Sequence, residues 1–399
     1  MIDTNFSPWP KITDEEIKAV SDVLFSNKLN YWTGNEARAF EKEFANYVGS
    51  NYAIAMSNGT TALETALKIY ELDKYDEIIV TPRSYLASAT SIINTGAIPV
   101  FADVNRDSQN IDIDTIKSVY TKKTKGIICV HLAGWPCDMT PIIEFAKSNN
   151  LFVIEDCSQA HGAKYKGASV GSFGDIGCWS FCQDKIMTTG GEGGMITTNK
   201  KNLWSKMWSQ KDHGKSWNAV YERKHLPGFK WLHESFGSNY RMTEMQAAIG
   251  RIQLKRLPKW SQARRFNAQK ILNSVRNLPG IRVPELKCVA CDEGCNNEPS
   301  YLHAFYKCYF FVEGGKQVRD NLMLEINKKN VPCYTGACPE IYLEKAFDGH
   351  SSRPKKRLLV AKELGETSLM FLCHPTLTKA EVEYTCEIIR NEILKIKPL

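Results

Sequence analysis

Apolar residues recur along this chain with two alternating periods. Near the N-terminus the spacing is helical. Thr13-Asp-Glu-Glu16 is a capping box, and Ile17, Val20 and Leu24 follow on one face. A glycine-containing loop at 32–35 leads to a second predicted helix over 37–47. From residue 52 the pattern changes to short, continuous apolar runs separated by helical stretches. Strands are predicted at 52–56, 77–81, 98–104, 126–132 and 151–155, and helices at 61–70, 84–94, 113–119 and 140–147. The runs do not alternate apolar with polar, which is the pattern of strands covered on both faces. Repeated βα units predict an α/β domain on a mostly parallel sheet. In such sheets ligand chemistry gathers beyond the carboxyl ends of the strands.

Residues 200–237 interrupt this pattern. They are rich in Trp, Lys, His and Gly, show weak periodicity, and predict a long irregular excursion. Helical spacing returns over 242–257, with Met245, Ile249 and Ile252 on one stripe, and Pro258 is predicted to end that helix. Beyond it the chain predicts a helix at 263–278, a polar loop, a strand at 307–312, and a last helix. That helix opens on the capping box Thr378-x-x-Glu381 and carries Val382, Cys386, Ile389 and Ile393. The expected division is a large α/β domain over 1–258, including the N-terminal helices, and a smaller α+β domain over 259–399. There is no internal repeat.

Composition narrows the class. A chain of 399 residues can bury a large core, and 43% hydrophobic with 24% charged residues is ordinary for a globular protein. The net charge of +7 comes without a basic run long enough for a nucleic-acid arm, so it better suits an anionic small molecule. The thirteen cysteines are scattered and odd in number, and MIDTNFSPWPKIT lacks the regions of a secretory signal. Free thiols in a reducing cytoplasm are expected. Cys288, Cys291 and Cys295, even with His303, match no familiar zinc spacing and predict a surface loop without metal. No run reaches the ~18 apolar residues of a membrane span. Gly214-Lys215-Ser216 ends like a phosphate-binding loop, but the glycine that loop needs at 209 is Ser209.

Candidate chemistry concentrates at 176–198, IGCWSFCQDKIMTTGGEGGMITT. Lys185 leaves a strand-like aromatic stretch and enters a turn with Gly190, Gly191, Gly193 and Gly194. Two readings stand: a hairpin with a solvated lysine, or an amine poised to form a Schiff base with a carbonyl cofactor. Three further sites bear on the choice. Ser57-Asn58-Gly59-Thr60-Thr61 joins a strand to a helix, which makes either an ordinary cap or an anion site. Glu155-Asp156 ends an apolar strand, where a carboxylate can hold a pyridine nitrogen protonated, and Gln159 follows within reach of the same ligand. Tyr85, after Pro82 at a strand end, offers a ring to stack on a flat cofactor. A phosphate site, a stacking ring, a pyridinium partner and an amine are what pyridoxal 5′-phosphate requires. His161 either contacts substrate or packs. The run 217–233, with Trp217, Tyr221 and Trp231 among basic residues, suits a nucleotide diphosphate or a dimer interface.

In this order the motifs resemble the DegT/DnrJ/EryC1/StrS sugar aminotransferases, within the fold type I (aspartate aminotransferase-like) pyridoxal-phosphate enzymes. The similarity runs from FEKEFANYVGSNYAIAMSNGTTALETAL through GAIPVFADV, VHLAGWPCDM, VIEDCSQAHGA and SFCQDKIMTTGGEGGM to GSNYRMTEMQAAIGRIQL, and thins after about residue 260. The resemblance implies roles. Lys185 would form the Schiff base and move the proton, and Asp156 would pair with the pyridine nitrogen. Gln159 would contact the ring hydroxyl. Gly59, Thr60 and Ser180 would hold the phosphate, and Tyr85 would stack on the ring. Asn239 would reach the phosphate of the neighbouring subunit, with Arg241 nearby, so a homodimer is implied. The implied substrates are L-glutamate and a nucleotide-linked keto sugar, foremost a 4-keto-6-deoxy hexose on UDP or dTDP. Surface polysaccharide, glycan or antibiotic sugars are the implied destinations. Members with histidine at the lysine position act as dehydratases, and lysine here favours transamination. A lyase with the same cofactor and a non-catalytic regulatory protein are the alternatives. One departure stands out: the turn has one residue more before Glu192 than the family's usual Lys-x-x-x-x-Gly-Glu-Gly-Gly.

Overall fold

The computed structural model describes residues 6–285 and 301–395, so Cys288, Cys291 and Cys295 lie outside the described residues. The chain opens with α1 (Asp14–Ser26) and α2 (Glu36–Val48). The predicted capping box of α1 is present, with Thr13 and Glu16 bonded reciprocally. Its buried face differs from the prediction. Glu16 and Val23 are buried, whereas Ile17 and Leu24 are 57% and 48% exposed. The Glu16 carboxylate accepts from Arg256 at 2.9 Å and Gln253 at 3.3 Å. That inward ion pair fixes the rotation of the helix and leaves the Ile17–Leu24 stripe facing out.

Strands and helices then alternate as expected: β1 (Tyr52–Met56), α3 (Gly59–Lys68), β2 (Glu77–Val80), α4 (Ala87–Ile93), β3 (Ile98–Phe101), α5 (Ile113–Val119), β4 (Thr124–Val130), α6 (Met139–Ser148) and β5 (Phe152–Asp156). A small hairpin, β6 (Lys164–Tyr165) and β7 (Ala168–Ser169), precedes β8 (Ile176–Ser180) and β9 (Gly194–Thr198). Among the described residues the main sheet has seven strands in the order β1-β9-β8-β5-β4-β2-β3. β9 runs antiparallel to both neighbours, and every other pair is parallel. Along β2, β4 and β5 alternate residues enter different cores. Ile78, Val80, Ile128, Val130 and Ile154 face one, and Ile79, Ile127, Cys129 and Val153 face the other. Both faces are therefore covered, each such side chain contributing about 1.5–3 kcal/mol on burial. This direction of strands puts the carboxyl ends of β1, β2, β4, β5 and β8, and the start of β9, along one edge.

Residues 200–237 hold more order than their periodicity predicts. α7 (Lys201–Lys211) and α8 (Trp217–Tyr221) occupy part of the stretch. Their packing is aromatic rather than aliphatic. The Trp217 ring lies 4.9 Å from Trp204, 5.0 Å from Trp208 and 4.3 Å from Tyr221. Pro258 also fails to end the next helix, α9 (Glu244–Val275), which runs through it for 32 residues. The rest comprises β10 (Ile281–Arg282), β11 (Cys308–Val312), α10 (Gly315–Lys328), β12 (Cys333–Tyr334), α11 (Leu359–Thr367), β13 (Ser368–Phe371) and α12 (Lys379–Leu394). These strands form an antiparallel sheet, β10-β11-β13-β12. An interior proline costs a helix about 3 kcal/mol. α9 offsets this by anchoring on both sides of Pro258: Ala247, Leu254 and Leu257 enter the main core, while Ile271 and Val275 enter the core of the second sheet. The ten cysteines among the described residues are unpaired. No described helix is long and apolar enough to cross a membrane.

Candidate active site

A cavity of about 500 Å³ opens at the carboxyl edge of the main sheet. Gly59, Thr60, Tyr85, Asp156, Gln159, Ser180 and Lys185 all line it. A second cavity of similar volume, walled by Trp135, Asp138 and Tyr165, contains none of these groups.

The turn after β1 is shaped for an anion. The Asn58 side chain caps α3 by accepting from the Thr61 N–H at 2.9 Å. The first N–H groups of a helix have no partner inside it, so Gly59 and Thr60 present theirs to a ligand. Close approach explains two glycines here. A Cβ on Gly59 would sit 2.6 Å from the Ser180 Cβ, and one on Gly194 would sit 2.4 Å from the Asn58 carbonyl oxygen. The glycine-rich turn therefore has a function: it lets the start of β9 press against the anion-binding turn. The extra residue before Glu192 is absorbed in a closed hairpin, where Phe181 N–H donates to Gly193 at 2.8 Å and Gln183 N–H to Gly191 at 2.9 Å. Gly194→Ala is expected to weaken pyridoxal phosphate binding about tenfold, the scale of an overpacking strain. Fluorescence titration of the apoprotein checks this, and unchanged affinity would remove the packing role.

The two adjacent carboxylates of β5 divide their work, because successive strand residues point to opposite faces. Glu155 is fully buried, and its oxygens accept from the N–H groups of Gly171 (2.8 Å), Phe173 (2.8 Å) and Gly174 (2.7 Å). His131 Nδ1 accepts the Cys137 N–H at 3.0 Å, so Nε2 carries the proton and donates to Glu155 at 3.0 Å. Cys157 lies within 4.8 Å of this pair, but the histidine and carboxylate are committed to these bonds. Burial also pushes the Cys157 thiol well up and keeps it protonated. The trio is a buried hydrogen-bond network that pins the 171–174 turn. Asp156 is the carboxylate on the cavity wall. Ser88 Oγ donates to it at 2.9 Å and the Ser158 N–H at 3.1 Å.

Lys185 is held at both ends. Trp9 Nε1 donates to its carbonyl at 2.7 Å. Its Nζ lies 3.4 Å from Asp184 Oδ1 and 5.1 Å from the centre of the Tyr306 ring. Tyr306 donates its hydroxyl to Asp184. Burial works to raise the Asp184 pKa, but Lys185, the Tyr306 hydroxyl and Lys307 together bring it below the usual carboxylate value. Burial, then the Arg264 charge, brings Lys307 down to about 8. Across the cavity Tyr85 is 73% exposed, so a ring face is free. The Gln159 Oε1 accepts from the Ala133 N–H at 2.8 Å, which leaves its amide N–H groups as donors for a ligand. Trp9, Asp184 and Tyr306 escaped the sequence reading, since their relation to Lys185 depends on contacts across the fold.

His161, Trp217, Arg241 and Asn239 do not line this cavity. His161 is buried behind it, its ring 5.2 Å from Trp179 and 5.5 Å from Phe181. Neither ring nitrogen has a hydrogen-bond partner. Burial, with the nearby charges of Lys185 and Arg264, drops its pKa to about 3, so the ring is neutral. Of the two readings of His161, contact with substrate and packing, this burial supports packing. His161→Phe is expected to keep the substrate KM within about twofold and to stabilise the fold by about 1 kcal/mol, by removing orphaned polar atoms. A tenfold rise in KM would restore the substrate role. Trp217 is packed in the aromatic cluster of α7 and α8. Arg241 Nη1 binds Asp212 at 2.8 Å, and Asn239 forms a backbone bridge to the same Asp212.

Residues 10–390 match the DegT/DnrJ/EryC1/StrS aminotransferase family. The chain belongs to that family. A crystal structure of an aminotransferase from Psychrobacter cryohalolentis is 55% identical, with a TM-score of 0.91, covering 97% of this chain and 98% of the other. A GDP-perosamine synthase of Escherichia coli O157:H7 is 34% identical over 385 residues, 96% of each chain. A UDP-N-acetyl-3-dehydro-alpha-D-glucosamine 3-aminotransferase of Acidithiobacillus ferrooxidans is 37% identical over 394 residues, 98% of this chain and 96% of its own. The protein is thus an aminotransferase, and the fold expected from its βα pattern is that of its family. Family membership implies pyridoxal phosphate, and the cavity fits it. It offers a helix start for the phosphate, a free aromatic face, the Asp156 carboxylate, an amide donor and a primary amine.

Proposed function

We propose that this aminotransferase uses pyridoxal 5′-phosphate to move an amino group from L-glutamate to the carbonyl of a nucleotide-linked keto sugar. The observation that carries the reading is the convergence of Lys185, Asp156, Tyr85, Gln159 and the Gly59-Thr60 helix start on one cavity. When bound, the cofactor supplies an aldehyde that carries the nitrogen and a ring that takes up electron density. The N–H groups of Gly59 and Thr60, with Ser180, would hold its phosphate, and Tyr85 would lie on the ring face. Asp156 would keep a proton on the ring nitrogen, and Gln159 would donate to the ring hydroxyl. Lys185 would anchor the cofactor at rest, and its freed amine would move the proton at the reacting carbon. Asn239 of the partner subunit would complete the phosphate site in a homodimer, with Arg241 close to it. The two curated relatives described above are named for GDP- and UDP-linked sugars, which supports a nucleotide carrier without choosing one. A 4-keto-6-deoxy hexose on UDP or dTDP is the first candidate, acting in cytoplasmic synthesis of polysaccharide sugars.

The test is a panel of UDP-, dTDP- and GDP-linked keto sugars with glutamate, read by mass spectrometry. An aminated sugar together with the keto acid of the donor is expected. Release of water without glutamate consumption would instead make the protein a dehydratase. Lysine rather than histidine at 185 supports the transfer reading.

A further inference from the structure

Lys185 faces two groups that the proposed function does not use. Asp184 Oδ1 is 3.4 Å from its Nζ, and the Tyr306 ring centre is 5.1 Å away. Tyr306 is buried, and its hydroxyl is bound to Asp184, so ring and carboxylate form one unit. The backbone behind that ring is fixed as well. The Tyr306 N–H donates to Ala133 at 2.9 Å, and Arg264 Nη1 donates to the Tyr306 carbonyl at 3.3 Å. Lys307 brings a second ammonium to 4.9 Å from the same ring. A carboxylate and an aromatic face both attract an ammonium, and together they define one place for it. A free lysine side chain otherwise wanders over many rotamers.

We propose that Asp184 and Tyr306 are positioning residues that hold the Lys185 amine on the cavity wall whenever it is not bonded to cofactor. This rests on reading Lys185 as the cofactor lysine. The unit keeps the displaced amine within reach of the reacting carbon and returns it to the same place in each cycle. Tyr306→Phe keeps the ring and loses the bond to Asp184. Tyr306→Leu loses both, and Asp184→Asn keeps the bond while losing the charge.

The test begins on the apoprotein, where no cofactor chemistry enters. Lysines are acetylated competitively with limiting acetic anhydride, and Lys185 is compared with the other lysines by peptide mass spectrometry. Labelling of Lys185 is expected to rise about threefold to fivefold in Asp184→Asn and Tyr306→Leu, the scale of a partly exposed ion pair, and less in Tyr306→Phe. In the loaded enzyme kcat is expected to fall about tenfold with KM within about twofold, the signature of a misplaced reacting group. Lys185 labelling unchanged in folded Asp184→Asn and Tyr306→Phe would overturn the proposal, leaving the pair a mere clamp between segments. Borohydride fixation of cofactor to Lys185 in the wild type is a separate readout. Its failure alongside altered labelling would sink the functional reading and leave the positioning unit standing.

Discussion

Lys185→Ala is expected to lower transaminase turnover by about 10³- to 10⁴-fold, the scale of losing a positioned proton-transfer group together with the covalent anchor. The mutant should keep its fold. The Lys185 side chain is not a core element, and the backbone at 185 stays tied to Trp9 through a carbonyl that the substitution retains. Melting temperature and circular dichroism should therefore match the wild type within the shift of a surface change. Two spectroscopic consequences separate this from a general loss of activity. The visible absorption of cofactor bonded to lysine should vanish, and borohydride should leave no cofactor on the 182–192 peptide. Exogenous amines should restore part of the proton transfer, because the cavity left by the side chain opens onto the reacting site. Full turnover in a verified Lys185→Ala preparation would refute the mechanism.

Asp156→Asn carries the second largest expected effect, about 10²- to 10³-fold in kcat, comparable with removing one preorganised electrostatic contact at a reacting centre. Asparagine is isosteric: its one oxygen can keep the bond from the Ser158 N–H, and the Ser88 hydroxyl, which donates to the other Asp156 oxygen, can turn to accept from the amide. What is lost is the negative charge that would hold a proton on the ring nitrogen. Glu155→Gln provides the contrast. Glu155 is bound by three backbone N–H groups and His131, and its loss should appear in stability rather than in the chemical step. Breaking a buried network of this kind costs about 3–5 kcal/mol. The pair of variants is read by single-turnover kinetics beside thermal melting. Asp156→Asn should slow the chemical step at nearly constant melting temperature, and Glu155→Gln should lower the melting temperature first. Wild-type kinetics in Asp156→Asn would remove that residue from the site.

Much of the site was legible because its parts are local. Lys185, Asp156 and the Gly59-Thr60 turn each sit at the end of a strand, and a parallel sheet brings strand ends together. What remained hidden depends on partners distant in sequence. Tyr306 and Asp184 are 122 residues apart, and no spacing rule connects them. The division of labour between Glu155 and Asp156 follows from the pleat of β5, but only the 171–174 turn shows which of them faces inward. His161 follows the Asp156 motif, and its position in the sequence leaves contact with substrate and packing both open. Burial against Trp179 and Phe181, both outside that local motif, favours packing. The α1 stripe misled because a glutamate, Glu16, is the inward residue. Pro258 misled because anchorage on both sides outweighs one lost hydrogen bond. The order within 200–237 was masked by tryptophans standing where aliphatic residues usually mark a helix.

The most direct test of the proposed reaction follows the nitrogen itself. The holoenzyme is given glutamate carrying an isotope-labelled amino group and a panel of nucleotide-linked keto sugars, and the sugar products are weighed by mass spectrometry. Expected is a single aminated nucleotide sugar that carries the label, formed in step with the keto acid of the donor and absent with Lys185→Ala. A keto sugar consumed with loss of water and no label, or no labelled sugar on any carrier while the cofactor remains bound to Lys185, would contradict amino transfer to a nucleotide sugar.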